Sequence, residues 1–186
     1  GALPLFRLFR PTGNPARTFP SLETLALGGA DKTEKLPQMA RTMHFRLVAR
    51  DGKGGVAYGT RRVTVDAGTG PLRMIGPAGG ASVPPGSLSV TWDVAGTASL
   101  PGASTVDILL STDGGYSFNP TPLLSGVANN GAATVALPDA GTERARLLIK
   151  ASNNVFFAVS PGNFTITGSG GTLSVTPSAG LVASGN

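Results

Sequence analysis

The chain has 186 residues, of which 27 are Gly and 15 Pro, so roughly one residue in four or five punctuates the backbone, which excludes long helices and coiled coils. It has no Cys and one His, His44, which excludes disulfides, thiolate metal sites, a thiol nucleophile and any two-histidine zinc motif. The net charge is +5, but the cations are scattered along the sequence and few aromatics accompany them, so no nucleic-acid partner is expected; with no run of 18 apolar residues, no membrane-spanning helix is expected either.

Leu, Ile, Val and Phe together number 46, enough for a core built from short segments between turns. In chain order, residues 1–20 carry Leu5, Phe6, Leu8, Phe9 and Phe19, which need cover. Ser21 then caps a single helical turn, with Glu23 near its positive end and Gly28-Gly29 stopping it. Residues 41–51 (RTMHFRLVARD) alternate, with Met43, Phe45, Leu47 and Ala49 on one face and His44, Arg46 and Arg50 on the other. Gly52-Lys53-Gly54-Gly55 makes a turn, and residues 56–66 (VAYGTRRVTVD) return with Val63 and Val65 sharing a face. If Phe45 pairs with Val63, Arg46 stands opposite Arg62 and Arg50 opposite Tyr58, and the two arginines repel unless an anion or acidic partner sits between them; the plainer reading, preferred here, is solvation or a different register. One hairpin cannot bury the Phe and Leu residues ahead of it, so this first module, residues 1–67, is expected to be a truncated sandwich of a cadherin- or PKD-like kind.

Residues 66–71 form a linker. Strands are then predicted at 72–75, 88–94, 105–111, 116–118, 123–127, 132–137, 145–151, 156–159 and 164–166, a spacing that points to an antiparallel β-sandwich over 71–167. Trp92, Phe118, Phe156, Phe157 and Phe164 are its predicted aromatic core. Residues 168–171 form a second linker, and 172–176 open a further module within 168–186. The chain is thus expected to be all-β: two tandem antiparallel sandwiches, immunoglobulin- or fibronectin III-like, the first truncated.

Chemistry has little to build on. His44 is the one imidazole, sits mid-strand beside Arg46, and has no GxSxG elbow to serve. The aspartates are dispersed, mostly at strand ends or beside Gly, where Asp favours turns. Asp51 and Asp66, at the two ends of the hairpin, are the candidate calcium ligands, as oxygen donors suit a hard cation. Asn163-Phe164-Thr165 matches a glycosylation sequon, a pattern frequent by chance. The sharpest motif, Ser111-Thr112-Asp113-Gly114-Gly115-Tyr116-Ser117-Phe118, resembles the Asp-box hairpin of sialidases. It occurs once and without a four-strand repeat, so it reads as a structural turn built on Ser111, Asp113, Gly115 and Ser117.

Longer stretches carry a broader resemblance. Thr91-Trp92-Asp93-Val94-Ala95-Gly96-Thr97, Val106 through Gly115, and Asn154-Val155-Phe156-Phe157-Ala158-Val159-Ser160 followed by Asn163-Phe164-Thr165-Ile166 resemble the region after the catalytic domain of secreted bacterial reprolysin-like zinc metalloproteases. Pro4-Leu5-Phe6-Arg7, Arg17-Thr18-Phe19-Pro20 and Arg41 through Arg50-Asp51 resemble the module before it, so the match runs over about residues 3–166. The resemblance implies a non-catalytic accessory region, secreted from a bacterium, with zinc held only by an upstream catalytic domain and no cofactor here beyond the calcium already considered. Its implied partners are that catalytic domain and a protein or glycan substrate; separately, the uncovered face and open strand edge of the truncated first module point to self-association. Ala158 departs from the acidic residue such proteins tend to carry after the two phenylalanines, and several of them have Cys where this chain has none. The Gly1 start, without Met or leader, fits an excised piece whose export signal lies upstream. The chief alternative is an adhesin or glycan-binding module presenting Tyr58 or Tyr116; a hydrolase using dispersed carboxylates is a further one.

Overall fold

A computed structural model describes residues 6, 10, 12–13, 16–29 and 33–168. Leu5, Leu8 and Phe9, and the strand expected at 172–176, lie outside the described residues.

The helical turn forms as α1, Leu22–Ala26. Ser21 Oγ accepts from Thr24 N at 3.2 Å, as a cap does for an orphan first-turn donor. The turn closes where Gly29 N donates to Thr24 O at 2.8 Å, with Gly28 and Gly29 at positive φ.

The hairpin pairs β1, Arg41–Arg50, with β2, Val56–Val65, over its full length. The face assignment holds, and the register differs from a Phe45–Val63 pairing. Met43 pairs with Val63 and Phe45 with Arg61, a shift of two residues, so Arg46 faces Thr60, Arg62 faces His44 and Arg50 faces Val56. The cause is the turn. Asp51 Oδ1 accepts from Lys53 N at 2.8 Å and from Gly55 N at 2.9 Å, and Asp51 N donates to Gly55 O at 3.3 Å. This holds residues 51–55 as a five-residue loop and pins Arg50 opposite Val56. Arg46 and Arg62 are therefore not opposed.

Only Met43, Phe45, Val63 and Val65 of the hairpin are half-buried. Phe45 meets Phe19 and Phe6 at ring-centroid distances of 5.1 and 6.1 Å, and Phe6 meets Phe19 at 4.6 Å, so three aromatics from three segments make a small cluster over one end of the sheet. Among the described residues the first module holds one two-stranded sheet, and only Pro20, Thr24 and Glu34 are buried.

The second module has nine strands: β3 (Arg73–Gly76), β4 (Ser82–Val83), β5 (Gly86–Asp93), β6 (Thr105–Ser111), β7 (Leu124–Ala128), β8 (Ala132–Leu137), β9 (Thr142–Ala151), β10 (Phe157–Val159) and β11 (Phe164–Ile166). One sheet runs β3-β5-β8 and the other β4-β11-β9-β6-β7, with β10 sharing the β9 edge beside β11. All pairings are antiparallel except β4 on β11. Period-2 alternation brings Met74, Val90, Trp92, Val135 and Leu137 from the first sheet onto Val106, Ile108, Leu110, Leu147, Ile149, Phe164 and Ile166 from the second. The chain is all-β and this half is sandwich-like.

Several expectations need correction. Residues 116–118 are not a strand: after β6 the chain stays irregular to β7, though Asn119 N and Leu123 N still donate to Leu110 O and Ile108 O at 2.8 Å each. Pro120 and Pro122 bring no amide hydrogen to that stretch, which denies it a regular ladder. Phe118 and Phe157 are half-buried and lie outside the core cluster, whereas Trp92 and Phe164 are buried in it and Phe156 packs against it. Phe157 opens β10 directly after Phe156, and consecutive residues of extended chain point to opposite faces. That outer face is covered as well: Leu109 and Leu148, paired across β6 and β9, are 8% and 7% exposed.

Candidate functional site

The Asp-box turn is built as its sequence requires. Ser111 Oγ donates to Asp113 Oδ1 at 2.7 Å and accepts from Gly115 N at 2.8 Å. Ser117 donates twice to the same carboxylate, from N at 3.0 Å and from Oγ at 2.6 Å. Gly115 has φ +92°, which favours glycine, and a Cβ there would lie 3.0 Å from Arg146 Cδ, so the Arg146 side chain would have to give way. Burial alone would raise the Asp113 pKa; the Ser117 and Ser111 hydroxyls and the backbone amides of Ser117 and Tyr116 outweigh it and bring it from 3.8 to about 2. Tyr116, 45% exposed, stands 6.0 Å from the Arg144 guanidinium.

Asp51 and Asp66 are not brought together. Each binds its own turn: Asp51 as above, and Asp66 Oδ1 accepting from Gly68 N at 2.6 Å. They lie at opposite ends of a ladder whose ten residues span about 34 Å. Among the described residues, no three His, Asp or Glu side chains converge to hold a metal. His44 is exposed on β1 opposite Arg62. Asn163, the sequon residue, is half-buried, and its Oδ1 accepts from Arg146 Nε at 2.7 Å.

Three polar centres escaped the sequence reading. Asp107, 8% exposed on the outer face of β6, accepts from Ser125 Oγ, Gly126 N and Ser152 Oγ at 2.8–2.9 Å, with Lys150 Nζ at 3.7 Å. Burial would raise its pKa; Gly126 N, the two hydroxyls and the Lys150 charge together hold it below the ordinary range. Glu34, 2% exposed, accepts from Arg17 Nη2 and Ser21 N at 2.9 Å each and from Thr24 Oγ1 at 3.0 Å. Its pKa too is lowered: burial acts against the change, and Ser21 N, Arg17 and the hydroxyls prevail. The third centre is a chain of bonds: Trp92 Nε1 donates to Asn129 Oδ1 at 2.9 Å, while Asn129 Nδ2 donates to Ala103 O at 3.0 Å and to Thr97 Oγ1 at 3.3 Å. Asp107 had a sequence signal, a charge inside the apolar run of residues 106–110. Glu34 and Asn129 had none, because both sit in polar, irregular stretches.

A shallow cavity of about 340 Å³ opens on the hairpin's apolar face, lined by Phe45, Leu47, Gly59, Thr60 and Arg61. Comparison with protein-family models, curated proteins and solved structures returns no match to this chain.

Proposed function

We propose that this chain is a non-catalytic accessory region that spaces, orients or docks the catalytic domain of an exported bacterial zinc metallopeptidase of the reprolysin-like kind. The observation that carries the non-catalytic part of the reading is the hydrogen bonding of its acids, and the metallopeptidase part rests on the sequence resemblance given above. Glu34, Asp107 and Asp113 each gather amide and hydroxyl donors, and each is shifted toward the charged form. A carboxyl that works as general acid near neutral pH needs the opposite shift. These carboxylates hold turns and strand edges together instead. The finer fold assignment belongs with this proposal: the second half is an immunoglobulin- or fibronectin III-like sandwich. Its support is the strand order, three strands against a larger sheet, with β3 pairing β5 in one sheet and β4 pairing β11 in the other.

A second reading, a glycan-binding or adhesin module, draws on Tyr58, 71% exposed, with the Arg46 guanidinium 5.2 Å from its ring. The test of the first reading is direct. The purified chain incubated with casein and zinc releases no peptides, while the complete protein from the same reading frame, carrying HExxHxxGxxH, cleaves casein until zinc is chelated. Turnover by the chain beyond an inactive-batch control, or a reading frame without that motif, overturns it.

A further inference from the structure

We propose that the β1–β2 hairpin is a docking edge for an extended segment of a partner protein whose side chains alternate between acidic and apolar. This does not depend on the chemistry of the parent protein.

Three observations meet at the hairpin. First, among the described residues β1 and β2 pair with each other and with no further strand, so on those residues both outer edges carry alternate backbone N–H and C=O groups without a strand partner. Second, the hairpin and its turn hold Arg41, Arg46, Arg50, Lys53, Arg61 and Arg62, none in an ion pair among the described residues, while Asp51 and Asp66 are engaged by their own turn amides. Arg46, Arg50, Arg62 and His44 share one face with Tyr58. Third, the other face carries Met43, Phe45, Leu47 and Val63 together with Arg41 and Arg61, and it is open at Leu47, 60% exposed, beside the cavity described above.

One added strand answers all three. Its backbone pairs with an open edge, and its period-2 side chains extend both faces at once, acids toward Arg46, Arg50 and Arg62 and apolar groups toward Leu47. Other occupants answer fewer. A second copy sets six cations against six, and the face measures about 10 Å by 34 Å, roughly 340 Å² against the ~800 Å² per partner of a stable interface. An anionic glycan or a nucleic acid neutralises the basic face but leaves the edge amides unpaired and Leu47 exposed, and Tyr58 offers it one stacking platform.

The probes are peptides of about ten residues, long enough to span the edge: strictly alternating Glu and Val, a scrambled peptide of the same composition, and alternating Lys and Val. A sulfated glycan and a single-stranded oligonucleotide are tested alongside. The readout is amide hydrogen exchange in the intact chain. The alternating Glu/Val peptide slows exchange along one edge, within 41–50 or 56–65, by on the order of tenfold at ~1 mM. The effect falls with added salt and in a triple variant, Arg46→Gln, Arg50→Gln and Arg62→Gln, whose Trp92 fluorescence is unchanged. No protection by that peptide, or protection as strong from the scrambled or Lys peptide, overturns the proposal. Stronger protection by the glycan or oligonucleotide also overturns it, and assigns the face to that polymer instead.

Discussion

Asp113 shows how one side chain fixes a turn. Its two oxygens take the Ser111 hydroxyl and both donors of Ser117, and its pKa lies at about 2 instead of 3.8. A carboxylate with a depressed folded-state pKa stabilises the fold above its unfolded value, and that contribution is lost as the group protonates. Stability should therefore fall as pH drops from about 3.8 toward 2, by about 1–2 kcal/mol once partial exposure is allowed for. Asp113→Ala should remove the same amount at neutral pH and flatten that part of the profile, read from urea midpoints across pH. Asn129 makes a different case. Asn129→Ala leaves the buried Trp92 Nε1 without its acceptor and should cost about 1–3 kcal/mol, with a shift in Trp92 emission at unchanged secondary structure. The Asp113 turn was legible because its partners lie within four residues of it in sequence. The Trp92–Asn129 bond joins residues 37 apart, and no local pattern announces such a pair.

At the scale of elements, alternation located most strands, because a strand with one buried face writes its period into the sequence. Residues 105–111, 132–137 and 164–166 fall within the predicted bounds. Ser82–Val83 went unseen: two residues paired in parallel with a distant strand have no period to display. The hairpin's faces were legible and its register was not, because register followed from the Asp51 side chain closing a five-residue loop. Loop contacts give a paired test. Gly52 and Gly102 share nearly the same backbone, at φ +73° and +72°, but a Cβ on Gly52 meets nothing within 4 Å while one on Gly102 collides with the Asn153 carbonyl oxygen. Gly102→Ala should lower stability by at least about 2 kcal/mol more than Gly52→Ala. Equal losses in thermal unfolding would show that the turn ahead of β6 does not press on the β9–β10 loop.

Over the whole molecule, the apolar core lies in residues 72–166, and the described part of the first module rests on three phenylalanines and the Glu34 cluster. Protection against exchange should follow that division. Amides of β6 and of residues 145–151 of β9, which are buried or half-buried throughout, should exchange only through global unfolding, and those of β1 and β2 should exchange through local opening at rates at least tenfold higher, on the order of 1.4 kcal/mol or more in opening free energy. Uniform protection across the chain would mean that the hairpin shares the sandwich's cooperative unit.

If Glu34, Asp107 and Asp113 are structural groups held in their charged form, a pH titration of side-chain carboxyl carbons by NMR reads that state directly. Glu34, Asp107 and Asp113 should titrate below 4.5, 3.8 and 3.8 respectively, with Asp113 near 2. Any of the three still protonated near neutral pH would contradict the account and mark that carboxyl as a group poised for acid–base chemistry.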